Sequence, residues 1–203
     1  MKKEFSFENN FMKMLEFKEN YLCLNKNVFE SGDYKIVPIR YKDRLDIMKW
    51  RNEQIYHLRQ DKPLKIEDQE NYFKSIVNKL FDQERPNQIL FSFLKNDICI
   101  GYGGLVHINW IDKNAEISFI MKTDLEKDFF SEIWLNYLHL IEGVAFETLK
   151  LHKIFTYAFD LRPHLYDIFL EANFNEEARL LEHCLFENNF IDVVIHSKIN
   201  LKK

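Results

Sequence analysis

Glycine placement is the strongest constraint in this 203-residue chain. There are five glycines and four prolines, and Gly101, Gly103 and Gly104 all fall inside one apolar run, Cys99-Ile100-Gly101-Tyr102-Gly103-Gly104-Leu105. Such a run reads as a strand, and glycine inside a strand marks a bulge or the close approach of another backbone or a ligand. Elsewhere the scarcity of breakers leaves little room for long loops. Hydrophobic residues at 46% and charged residues at 30% are globular proportions that exclude a disordered chain. The length suits one domain: residues 34–203 form it, and residues 1–33 are an N-terminal arm of the same unit. A net charge of −4 gives no global reason to bind nucleic acid. Cys23, Cys99 and Cys184 form no CxxC pair and read as reduced thiols of a cytoplasmic protein. The N-terminal MKKEFSFENNF lacks the apolar run of a signal peptide. No stretch approaches the ~18 apolar residues of a membrane span.

The pattern along the chain alternates between helix and strand periods. A short helix is expected around Phe11–Phe17, a strand at Tyr21–Leu24 and another at Tyr34–Ile39. Helices follow at about Asp43–Gln54 and Glu67–Phe81; the second carries the one-sided stripe Tyr72/Phe73, Ile76/Val77, Leu80/Phe81. Strands are expected at Gln88–Leu94, Ile98 to about Ile111 and Ala115–Met121, joined by Lys95-Asn96-Asp97 and Asp112-Lys113-Asn114 as an antiparallel meander. A long helix over about Ser131–Leu149 precedes a strand at His152–Phe159. A helix opened by Arg162-Pro163 and a hairpin of Ala178–Phe186 and Phe190–Ile199 complete the chain. This order predicts a mixed α+β domain with one mostly antiparallel central sheet and helices on both faces. The seven histidines show no metal-ligand spacing, and no Walker loop, GxGxxG or GxSxG occurs.

Four stretches, in this order, resemble the GNAT superfamily of acyl-CoA-dependent N-acyltransferases: Ile47-Met48-Lys49-Trp50-Arg51-Asn52-Glu53, the glycine strand, Asn114-Ala115-Glu116-Ile117-Ser118-Phe119, and Ala145-Phe146 through Leu151-His152-Lys153-Ile154. The similarity spans about Tyr34 to Ile199. The Trp-Arg-Asn segment resembles enzymes that acylate nucleotide-linked amino sugars for surface polysaccharides such as lipopolysaccharide O-antigen. Gly103 through Trp110 look close to the branch acting on dTDP-linked amino-dideoxyhexoses, some of which use 3-hydroxybutanoyl-CoA in place of acetyl-CoA. The resemblance therefore implies an acyl-CoA co-substrate, a dTDP- or UDP-linked amino-dideoxy sugar as acceptor, and no metal. A ribosomal-protein-type peptide N-acetyltransferase and a non-catalytic module on the same fold are the alternatives, and a homodimer is left open. Two departures stand out. The family's glycine loop for the CoA diphosphate is replaced by Asp124-Leu125-Glu126-Lys127-Asp128-Phe129-Phe130-Ser131-Glu132, which has four acids and no glycine. The family's thiolate-protonating Tyr is Phe169 here, with Tyr166 the nearest phenol.

Glu116 and His107, facing each other across the meander, are the candidate proton acceptors, a carboxylate partly removed from water and an imidazole that titrates near neutrality. The resemblance gives Phe119, Ile120 and Met121 a backbone role. A bulge there is expected to splay the strand and expose N–H groups to pantetheine and the thioester carbonyl. Lys127, Phe129, Phe130 and Ser131 are expected at the diphosphate. Trp50, Arg51, Asn52, His57, Arg59 and Asn109 are the acceptor-binding candidates. Trp50 either packs in the core or stacks on a ring; Arg51 either holds a ligand or pairs with a buried carboxylate.

Overall fold

A computed structural model describes residues 17–201; the helix expected around Phe11–Phe17 lies almost wholly outside them. Eight strands form one sheet in the order β1-β2-β3-β4-β5-β6-β8-β7. They are β1 (Phe29–Ser31), β2 (Tyr34–Pro38), β3 (Ile89–Lys95), β4 (Ile98–Asn109), β5 (Asn114–Met121), β6 (Lys153–Phe159), β7 (Asn175–Phe186) and β8 (Asn189–Ile199). Every neighbouring pair is antiparallel except β5 and β6. Helix α1 is Arg44–Glu53. Helix α2 runs from Ile66–Tyr72 through a π-helical turn, Phe73–Val77, to Asn78–Leu80. Helix α3 is Glu126–Glu142, continued by a π-helical segment at Gly143–Thr148, and α4 is His164–Glu171.

The alternation of β3 and β4 divides the core between two helical layers. On one face Phe93 and Phe119 meet α3, where Tyr137 stacks on Phe119 at 3.8 Å and meets Phe93 edge-on at 5.6 Å, and Trp134 meets Phe119 edge-on at 4.8 Å. On the other face Tyr102 receives a hydrogen bond from Arg51 of α1 at 2.6 Å. The mixed sheet with helices on both faces is the one expected. The glycines allow the layers to close: a Cβ on Gly103 would lie 2.1 Å from the Ser118 carbonyl and 2.5 Å from the Tyr137 hydroxyl, and one on Gly104 2.0 Å from the Ile89 carbonyl. Tyr137 uses that space to donate to Ser118 O at 2.9 Å.

Two expectations need correction, and one strand, β1, is unannounced in the sequence. Tyr21–Leu24 is a turn rather than a strand; Tyr21 buries singly, its ring stacked on Phe81 at 4.2 Å and its hydroxyl exchanging hydrogen bonds with the Leu90 backbone. The three-residue β1 has too few side chains to show a period. Helix α3 starts at Glu126, five residues before the expected Ser131, because nothing there breaks a helix and Glu126 and Asp128 complement the dipole of its first turn. No helix among the described residues is long and apolar enough to cross a membrane.

Gly103→Ala and Gly104→Ala should each cost about 1–3 kcal/mol by overpacking against backbone. In a chain of this size each kcal/mol lowers the melting temperature by roughly 2–4 °C. Thermal unfolding checks this, and an unchanged midpoint would mean the strands are not so closely apposed.

Candidate active site

The parallel pairing of β5 and β6 consists of three register pairs, Asn114↔Lys153, Ala115↔Ile154 and Glu116↔Phe155. Beyond Glu116 the strands part: β5 keeps its pairing with β4 out to Met121, and β6 pairs only with β8 out to Phe159. A wedge-shaped opening results, its apex at Glu116. The Lys122 N–H donates to Ile100 O at 2.7 Å, which fixes the parity of the β4–β5 ladder: Ser118 and Ile120 turn their backbone groups to β4, and Phe119 and Met121 turn theirs into the opening. Of these, the Met121 carbonyl is taken by the Gln54 amide at 2.8 Å. Phe119 and Met121 thus turn their backbone groups away from β4, whereas Ile120 spends its groups on the ladder. The expected bulge is absent at 119–121, where β4 and β5 stay in register from Gly101↔Met121 to Val106↔Glu116.

The bulge lies on β4 instead, between Val106 and Asn109, and it contains His107 at φ +50°. That left-handed conformation is uncommon for a non-glycine residue, and a bulge re-aims the side chain it carries. Here it brings His107 Nδ1 to 2.8 Å from Glu116 Oε2. The other oxygen, Oε1, accepts from Arg59 Nη2 at 2.5 Å, and the Arg59 guanidinium lies 4.6 Å over the Tyr157 ring of β6. Glu116 is buried while His107 and Arg59 are largely exposed. With Nδ1–H donating to the carboxylate, His107 offers Nε2 as an acceptor toward solvent.

Beside this group a cavity of about 310 Å³ lies between α1, α2 and the sheet, with Arg51, Asp68, Tyr72, Tyr102 and Ser118 in its wall. Arg51 holds Gln60 through Nε at 3.0 Å as well as Tyr102, and among the described residues no carboxylate pairs with it. The buried salt bridge is therefore not its role. Trp50 is a core residue. Asn52 is a loop fastener, its amide exchanging hydrogen bonds with Leu64 N and O. Asn109 caps the turn after β4 through Ile111 N and Asp112 N. Neither asparagine faces the cavity.

His57 sits apart from the cavity, against Gln54 and Tyr56, and burial, reinforced by the Arg162 charge, pushes its pKa down to about 3. Of the residues expected at the diphosphate, Lys127, Phe129 and Ser131 are exposed on α3. Phe129 turns toward Lys95 of β3, 5.8 Å from its ring. Phe130 alone turns toward α4, meeting His164 at 4.7 Å and Arg162 at 5.9 Å. Tyr166 donates to Asp160 at 2.7 Å, and Phe169 is core. Arg162 is the residue that sequence reading passed over; its signal was an arginine before the proline that opens α4. Among the described residues no cluster of His, Cys, Asp or Glu is arranged to hold a metal.

A family model described as "Acetyltransferase (GNAT) domain" matches residues 36–195. The chain belongs to the GNAT acetyltransferase family. It is accordingly an N-acyltransferase that uses acyl-CoA as co-substrate. Among solved structures it is similar to a Vibrio cholerae spermidine N-acetyltransferase in complex with CoA and spermine, with a TM-score of 0.70, 18% identity, and coverage of 83% of this chain and 96% of that one. A dodecameric structure of the Vibrio cholerae spermidine N-acetyltransferase in an intermediate state matches with a TM-score of 0.65 and 21% identity, covering 83% and 95%. At such identities these relatives speak for the fold, and they lend no support to a nucleotide-linked amino sugar. No curated protein sequence matches this GNAT chain significantly.

The neutral state of His57 has a consequence for stability. Its folded pKa of about 3 lies below the ordinary 6.5, so below pH 6.5 the unfolded chain takes up a proton the folded site refuses. Stability should fall as the pH drops from 6.5 toward 3, by up to about 1.4 kcal/mol per pH unit. His57→Gln should flatten that part of the curve in denaturant titrations at several pH values; an unchanged slope would place the proton uptake elsewhere.

Proposed function

We propose that this GNAT enzyme acylates the primary amine of a small acceptor entering from the α1–α2 face, with the His107–Glu116 pair receiving the amine proton. The observation that carries this reading is the position of Glu116: it stands at the last β5–β6 register pair, and its buried carboxylate holds His107 and Arg59 at 2.8 and 2.5 Å. Acyl-CoA lies in the opening between the strands, its thioester carbonyl polarised by the β5 N–H groups that the ladder leaves unpaired. The amine attacks the thioester carbon, the tetrahedral intermediate collapses, and CoA leaves as thiolate. His107 Nε2 takes the proton, and Glu116 fixes the tautomer and stabilises the imidazolium. A thiol of pKa about 8.5 is a tolerable leaving group, so no phenol is needed where Phe169 stands.

For the acceptor, the Arg51 guanidinium, which pairs with no carboxylate among the described residues, favours an anionic or hydroxyl-rich molecule. A nucleotide-linked amino-dideoxy sugar has that chemistry, with the sugar in the cavity and its diphosphate toward Arg51 or Arg59. A polyamine is the second reading, favoured by the spermine-bound structural relative. Against it, the cavity wall carries one carboxylate, Asp68, already accepting from Lys65 N–H at 3.1 Å.

Steady-state kinetics with acetyl-CoA and 3-hydroxybutanoyl-CoA against dTDP- and UDP-linked amino sugars, spermidine and an N-terminal peptide test the assignment. Arg51→Ala should raise KM for an anionic acceptor about tenfold or more while sparing that for acyl-CoA. A drop in KM on removing the positive charge, with spermidine turned over best, would establish the polyamine instead. His107→Ala and Glu116→Gln should each lower kcat by about 10²–10⁴, and the double variant should be no worse than the weaker single one, since the two act as a unit. Near-normal rates in both would remove the pair from the chemistry. Tyr166→Phe should change kcat by less than about tenfold, because its hydroxyl is committed to Asp160. A thousandfold loss would make it the acid.

A further inference from the structure

The mouth of the β5–β6 opening is spanned by an ion pair that is poorly made. Glu126 follows β5 and its turn and opens α3; Arg162 follows β6 and precedes α4. Their closest approach, Arg162 Nη1 to Glu126 Oε1, is 3.7 Å, too long for a hydrogen bond. Oε1 is buried without a hydrogen-bond partner. Among the described residues the Arg162 guanidinium, with its side chain only 14% exposed, donates no hydrogen bond at all; it lies over Phe130 at 5.9 Å. Five fixed donors and a full charge are therefore held largely out of water facing a single distant oxygen, and burial of a charge in that condition is costly unless a better partner arrives. Burial holds the Arg162 pKa below its usual value and the Glu126 pKa above, as expected of two groups desolvated without adequate compensation. Both flank the place where a phosphate-bearing ligand must pass to enter between the strands, and the segment that starts α3 offers no glycine for a backbone cradle.

We propose that Arg162 is the phosphate-binding cation of the acyl-CoA site and that Glu126 is its internal stand-in, displaced when a phosphate oxygen takes the guanidinium. This rests on the acyl-CoA reading of the opening. A phosphate accepts bidentate hydrogen bonds from the planar fork, which the carboxylate at 3.7 Å does not. Displaced from Arg162, Glu126 lies in the first turn of its helix next to the exposed Lys127 and Asp128 and can turn to solvent. The co-substrate thus competes with a built-in anion, and its affinity is set by the difference between two partners of one arginine.

Isothermal titration of the full chain with CoA, dephospho-CoA and pantetheine tests this without turnover. Arg162→Gln should weaken CoA about tenfold or more and leave pantetheine unchanged; Glu126→Gln should tighten CoA about threefold or more, again with pantetheine unchanged. If the Arg162→Gln loss persists with dephospho-CoA the diphosphate is the partner, and if it disappears the terminal ribose phosphate is; both support a phosphate-binding Arg162. Equal CoA affinity in wild type and Arg162→Gln, or an equal loss for pantetheine, would overturn the proposal while leaving the acyl-CoA reading intact. Weakened CoA binding in Glu126→Gln would likewise overturn it, by showing that the carboxylate supports the site rather than competes for it. Wild-type protein that binds no CoA would defeat both readings at once.

Discussion

The interruption of pairing between β5 and β6 is the constraint on which this molecule turns. Hydrogen bonding stops after Glu116↔Phe155, in the middle of an eight-stranded sheet, where buried backbone groups are ordinarily all paired. What spans the gap is aromatic: Phe119 of β5 meets Trp134, Trp134 meets Phe169 of α4 at 5.9 Å, and Phe169 meets His196 of β8 at 5.0 Å. This layer joins the two halves of the sheet through side chains, so the strands can diverge without loss of core. The glycines of β4 belong to the same arrangement, since they let Tyr137 sit against β4 and β5 and hold Ser118 O. The outcome is a rigid opening whose inner edge presents backbone donors, a state that is costly when empty and useful when a carbonyl or amide fills it.

Charge is distributed around that opening in two separate groups. At the apex, one buried carboxylate is shared by an imidazole and a guanidinium, which orients His107 and leaves its far nitrogen free. At the mouth, a buried arginine and a glutamate face each other at a distance that satisfies neither. The first group is well made and suits positioning; the second is poorly made and suits exchange. The sheet joins them, because β5 carries Glu116 at one end and leads into Glu126 at the other.

Much of this was legible in the chain itself. Helical and strand periods placed nearly every element, because long one-sided stripes such as Tyr72 through Phe81 and the meander of β3, β4 and β5 leave few alternatives. The glycine cluster pointed to close approach on β4, and the pairing of His107 with Glu116 follows from their positions across one hairpin. What escaped depends on tertiary detail. The bulge at His107 has no glycine to announce it and is set by the register of the whole meander. Asn52 and Asn109 look like ligand-binding amides until their loops fold back on them. The start of α3 is hidden in the sequence because the segment standing where the family has its glycine loop is simply helical from Glu126. Arg162 became visible only when the fold set it across the gap from Glu126.

The central claim, that acyl-CoA occupies the opening between β5 and β6 with its reacting carbon at the Glu116 apex, is tested most directly by a crystal structure with a non-hydrolysable acyl-CoA thioether. The acyl carbonyl should lie within hydrogen-bond distance of an N–H from Phe119 or Met121, with the acyl chain toward His107 and Glu116. Occupancy of another place, such as the groove at the foot of the sheet lined by Lys26, Lys113, His152 and Lys198, with the strand opening empty, would contradict it.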